Sequence, residues 1–212
     1  MFREFIDISW MINARTPVFP GDCPYQARQS LSIAGGDICN LSEIKMSMHF
    51  GTHIDAPLHF IDHGKPVPEL DLSLFFGEAT VIEIDNVKEI TAGEIAKHSF
   101  KPGQRLLLKV PGNETLLDKA EFSNDFIGMD RSAAEFLVER GVPLVGIEYL
   151  SIEKPVGNDY PVHHILLGND IIILEGIDLR KVEPGDYFLA CQPLKLENGN
   201  GSPVRAVLMR QY

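Results

Sequence analysis

The segment His49-Phe-Gly-Thr-His-Ile-Asp-Ala-Pro-Leu-His59 carries three imidazoles and one carboxylate, His53, Asp55 and His59 standing at offsets 4, 6 and 10 from His49. Neutral imidazole nitrogen and carboxylate oxygen both bind borderline divalent cations such as zinc or manganese. A set without thiolates suits an open catalytic site better than a closed structural one. A lone histidine is ordinarily a hydrogen-bonded core or surface residue, but four such side chains this close together point to a shared ligand. Of the chain's 7 histidines, four lie within His49–His63 and two adjoin at His163 and His164. This second pair precedes the aliphatic run Ile171–Leu174, which ends in Glu175. A buried carboxylate without a partner costs several kcal/mol, so Glu175 requires a cation: a metal ion, or an arginine or lysine from another loop. By spacing alone, either His163 or His164 can turn inward toward it.

Positioning these groups falls to the elements around them. Gly51 and Pro57 exclude a regular helix across the segment, and the Ile44/Met46/Met48 alternation predicts a strand over Ile44–Met48 that ends in a tight turn there. Further strands are predicted at Phe5–Trp10, Ala79–Asp85, Arg105–Val110, Pro143–Glu148, Ile171–Leu174, Asp186–Leu194 and Val204–Met209. Helices are predicted at Thr91–Lys97, with a Thr91/Glu94 capping box, at Glu114–Glu121, and at Asp130–Arg140 between a capping Asp130 and a terminating Gly141. Proline- and glycine-rich loops at 17–24 and 64–68 form a candidate rim. Strands and helices interleave with no dividing linker, so the expected class is mixed α/β in a single domain, 1–212.

Composition narrows the function. The chain is 44% hydrophobic and 23% charged, and its net charge of −11 opposes a phosphate backbone, which excludes nucleic acid as the leading partner. No apolar run approaches a membrane span, and the charged N-terminus lacks a secretory h-region, which implies a cytoplasmic protein. Cys23, Cys39 and Cys191 are odd in number and contain no CxxC pair, as expected of reduced cysteines. Serine hydrolase, P-loop and dinucleotide motifs do not occur.

The segment from His49 to His59 resembles the H-x-G-T-H-x-D-x-P-x-H motif of the cyclase family of metal-dependent hydrolases. Pro17–Asp22, Gly146–Ser151, His163–Gly176, Glu183–Tyr187 and Gly201–Arg205 resemble other parts of that family. The resemblance implies a swivelling β/α/β architecture with a mixed sheet, and assembly as a homodimer or homotetramer. It makes His49, His53 and Asp55 ligands of one metal, with Asp55 bridging to a second held by His163 and Glu175. His59 becomes the acid/base. His163 is preferred to His164 because the family's ligand pair has the spacing of His163 and Glu175. Phe19 stands where one branch of the family carries a substrate-stacking tryptophan, and Glu148 replaces an aspartate common in the central strand.

The expected reaction is hydrolysis of a carbon–nitrogen bond in a small aromatic amide, an aryl formamide such as N-formylkynurenine or a cyclic amide such as isatin. One or two divalent ions, zinc or manganese, activate the water. Phe19, with Phe60 or Phe50, supplies a candidate wall for the aromatic ring. Two rivals accompany this reading. His53, Asp55 and His163 also fit the facial triad of a non-haem iron oxygenase, and the same histidines can close a structural site in a non-catalytic metal-binding protein.

Overall fold

In the computed structural model, described over residues 4–157 and 159–210, nine strands build one mixed sheet and two form a separate hairpin. In chain order the strands are β1 (Glu4–Asp7), β2 (Gln26–Leu31), β3 (Leu41–Lys45), β4 (His53–Asp55), β5 (Phe76–Glu83), β6 (Arg105–Lys109), β7 (Leu144–Ile147), β8 (Ile172–Glu175), β9 (Gly185–Ala190), β10 (Gly201–Pro203) and β11 (Val207–Arg210). The helices are α1 (Ala92–Ile95), α2 (Asn113–Leu117), α3 (Arg131–Glu139) and α4 (Pro161–Gly168). The sheet order is β1-β11-β9-β5-β6-β7-β8-β4-β10, with β5 to β8 parallel and antiparallel strands on both flanks.

The parallel strands β6 to β8 read as near-continuous Leu/Val/Ile because both of their faces are buried. Alternation along them divides the core in two. Leu106, Leu108, Val145 and Ile173 face α1, α3 and α4 together with Ala134, Leu137 and Leu166. Leu107, Ile172 and Leu174 face the other way and meet Ile8, Ile54, Leu189 and Leu208, so the sheet curls over its own inner face. The mixed α/β class expected from the sequence is the one observed. Asp130 caps α3 by accepting from Ala133 N at 2.9 Å, and Gly141 beyond it adopts φ +64°. Of the Thr91/Glu94 box one half forms: Thr91 accepts from Glu94 N, while the Glu94 carboxylate turns to Lys97. The helix expected over Glu114–Glu121 ends at Leu117.

Two expectations about the elements near the site are corrected. The strand predicted over Ile44–Met48 stops at Lys45 and belongs to the exposed β2–β3 hairpin, with Ile44 60% exposed. Its alternation reports hairpin geometry, not burial. The segment around His163, expected to lead directly into a strand, is the helix α4, which Pro161 opens at its first turn. Among the described residues no helix is long and apolar enough to cross a membrane.

Candidate metal centre

The site is assembled where β4 joins the parallel sheet. β4 pairs antiparallel with β8 so that His53 stands opposite Glu175. Because side chains alternate along a strand, His53 and Asp55 project on one side while Ile54 enters the core. Gly176, just beyond β8, has φ +65°, and a β-carbon there would strike the Gly51 carbonyl; the chain crosses at this point only because the residue is glycine.

His53, Asp55, His163 and Glu175 are all at most 3% exposed. His53 Nε2 lies 3.3 Å from Glu175 Oε2 and 3.6 Å from Asp55 Oδ1. His163 Nε2 lies 3.5 Å from Glu175 Oε1 and 3.8 Å from Asp55 Oδ2. His49 Nδ1 is 2.7 Å from Asp55 Oδ1, and its Nε2 is 3.0 Å from Asn200 Oδ1. His59 stacks on the His49 ring at 3.9 Å between centroids. Among the described residues, candidate donor atoms form two triplets, His49/Asp55/His59 and His53/Asp55/Glu175, each within 4.8 Å and sharing Asp55. The six residues singled out in the sequence thus come together, but His59 stands with the donors around Asp55 and His163 lies outside both triplets.

His163 turns inward, whereas the side chain of His164 is 49% accessible and faces Asp159. The facial-triad residues His53, Asp55 and His163 also converge, but Glu175 sits against both histidines as a fourth donor, and the helix-backed mixed sheet is not a double-stranded β-helix. Phe19 and Phe60 line the cavity of about 280 Å³ above the cluster, with Pro20, Leu150 and Tyr160. Phe50 does not: it is 1% exposed and packs beside Tyr25, because the turn before β4 points it into the interior. The side chains of Asp62 and His63, just before the 64–68 loop, are over 90% exposed and pair with each other.

The cluster fits a divalent cation. Asp55 and Glu175 are partnered by histidines, and Glu175 also by the Ile152 N–H at 2.7 Å, in place of a lysine or arginine. Burial opposes ionisation of Asp55, but the facing His49 holds its carboxyl well below the usual range. Burial favours a neutral His49 ring, yet the Asp55 charge and hydrogen bond push it up to about 9. His163 is raised to about 10 against burial by hydrogen bonds from its ring to Glu153 and Glu175. His59 goes the other way, down to about 4, because burial and the neighbouring His49 and His163 outweigh the pull of Asp55. Two buried anions draw protons onto the imidazoles beside them. A divalent cation supplies that same compensating charge more compactly.

Sequence reasoning missed two residues. Asn200 holds His49, and the ring rests on Gly201, where a β-carbon would collide with it. Glu153 holds His163 Nδ1 at 2.7 Å. Neither lies in a segment with a recognisable ligand pattern, and β10, which Asn200 immediately precedes, is too short for periodicity to reveal.

Fold and site together define an α/β protein whose sheet edge presents a buried histidine–carboxylate cluster beneath an aromatic pocket. Residues 6–154 match the family described as putative cyclase, and the chain belongs to that family. It is 40% identical over 210 residues to the kynurenine formamidase of Geobacillus thermodenitrificans, covering 99% of each chain. A solved structure described as a potential metal-dependent hydrolase with cyclase activity superposes with TM-score 0.85 at 29% identity, covering 99% of this chain and 98% of the other. Isatin hydrolase A from Ralstonia solanacearum shares the fold, with TM-score 0.84 at 23% identity over 98% of this chain and 92% of that one.

Proposed function

We propose that this chain is a metal-dependent hydrolase of a carbon–nitrogen amide bond in a small aromatic substrate, an aryl formamide such as N-formylkynurenine or a cyclic amide such as isatin. The observation that carries the reading is the pair of buried carboxylates, Asp55 and Glu175, compensated by histidines at the floor of a pocket walled by Phe19 and Phe60. The full-length similarity to kynurenine formamidases supports the formamide over the cyclic amide.

His49, His53, Asp55, His163 and Glu175 would hold zinc, or manganese, as one ion or as two sharing Asp55. When bound, such an ion supplies Lewis-acid chemistry, activating water and polarising the amide carbonyl. His59, held neutral at pH 7 by its lowered pKa, accepts a proton from the attacking water and returns it to the leaving nitrogen, a role typically worth about 10²–10⁴-fold. Phe19 and Phe60 bind the aromatic ring and keep bulk water from the reacting carbonyl. The exposed β2–β3 hairpin, a two-stranded unit that is marginal alone, supports assembly as a homodimer or homotetramer. Three free cysteines accord with a cytoplasmic setting.

The test is a hydrolysis panel of N-formylkynurenine, isatin and simple aryl amides on metal-stripped protein reloaded separately with zinc and manganese. Turnover of the formamide that depends on the restored metal is the expected result; no turnover on any member removes the reading.

A further inference from the structure

We infer that Glu153 is the positioning residue for His163, holding the ring through Nδ1 so that Nε2 is the nitrogen offered to a metal ion. This rests on the reading of His163 as a metal ligand. Glu153 is 1% exposed, in the loop between β7 and α4, and its carboxylate is engaged by N–H groups. Oε1 accepts from the His163 backbone N–H and from the His163 ring Nδ1, both at 2.7 Å, and Oε2 accepts from Val162 N at 3.0 Å. The two backbone donors belong to the first turn of α4, where N–H groups have no acceptor within the helix, and Tyr160 at the helix start offers no side-chain cap. One carboxylate therefore closes the helix end and orients a ring carried on that same first turn.

The ring has little freedom left. Phe60 stacks on it at 4.4 Å and 26°, which sets its plane, and Glu153 sets its rotation within that plane. Nε2 then faces Glu175 and Asp55. The same task is done for His53 by a backbone oxygen, Gly51 O, at 2.9 Å from Nδ1, whereas at His163 a carboxylate side chain performs it and substitution can remove it. Carboxylates that take the second N–H of a ligating histidine typically account for about 10–100-fold in metal affinity. A carboxylate that only capped α4 would affect stability and leave metal affinity alone.

Two readouts test this. Zinc is titrated into metal-stripped protein in competition with a chromophoric chelator, and the imidazole nitrogens of isotope-labelled histidine are observed by NMR in metal-free and zinc-loaded protein. In the wild type, His163 is expected to carry an Nδ1 proton protected from solvent exchange in both states and to lose the Nε2 proton when zinc binds. Glu153→Gln, which keeps the shape and one acceptor oxygen, is expected to lose that protection and weaken zinc binding about 10–100-fold. Unchanged zinc affinity with an unchanged Nδ1 proton in Glu153→Gln overturns the inference. If the variant does not fold, the wild type decides: an unprotonated or rapidly exchanging Nδ1 overturns it equally. A protected Nδ1 proton in wild type that takes up no zinc overturns the ligand reading on which the inference rests, and is told apart from failure of the Glu153–His163 contact itself.

Discussion

Glu148 and Glu175 close neighbouring parallel strands, the first following β7 and the second ending β8, and each is at most 3% exposed. Their surroundings push them in opposite directions. Burial raises Glu148 to about 7, since its partners are two neutral backbone donors, Val110 N at 2.7 Å and Leu179 N at 3.0 Å. Burial and the Asp55 charge act on Glu175 in the same upward sense, yet hydrogen bonds and charge from His163 and His53 bring it below its ordinary value. A buried carboxylate is therefore not in itself a site. The one facing imidazoles is held as an anion that a metal can use, and the one facing amides is a cross-link between strand ends.

Substitutions that treat the two alike should separate them. Glu175→Gln is expected to show the largest effect, losing metal and reducing turnover on the order of 10³-fold or more, measured as metal content beside kcat/KM. His59→Ala should lower turnover by about 10²–10⁴-fold while metal content stays intact; metal lost along with activity would make His59 a ligand, as its place beside His49 and Asp55 allows.

Glu148→Gln should leave metal content unchanged and act on stability. With a folded pKa of about 7 against an ordinary 4.5, the native state holds this proton more tightly than the unfolded chain. The stability Glu148 contributes is complete below about pH 4.5 and is lost as pH rises toward 7, by up to about 3 kcal/mol. Urea midpoints measured across that range should fall for the wild type and fall less for Glu148→Gln; parallel curves would show that Glu148 is not the titrating group. The smallest effect belongs to His164→Ala, whose exposed ring leaves stability within about 0.5 kcal/mol and metal affinity unaltered.

Much of the site was legible because it is local. His53 and Asp55 are two residues apart, so a short strand delivers both to one side, and His49 and His59 flank them within the same segment. The long hydrophobic strands were legible for a similar reason: burial on both faces leaves an uninterrupted Leu/Ile/Val run. What was hidden depends on contacts between distant segments. The three-residue strands β4 and β10 have no periodicity of their own and exist because each pairs with a neighbour. Helix α4 reads as an apolar run leading into β8, and its first turn is completed by Glu153 from the preceding loop, a cap that no local N-terminal signal announces.

The amino-acid sequence by itself determined the donor types, the motif that carries them, and the mixed α/β class, since each is a property of residue identity and short-range order. Tertiary structure decided which of two adjacent histidines points inward, which aromatic residues face the pocket, and which of two buried glutamates meets imidazoles. Those outcomes turn on helix phase, strand register and the partner each buried charge finds across the sheet, and chain separation carries no record of them until the sheet has closed.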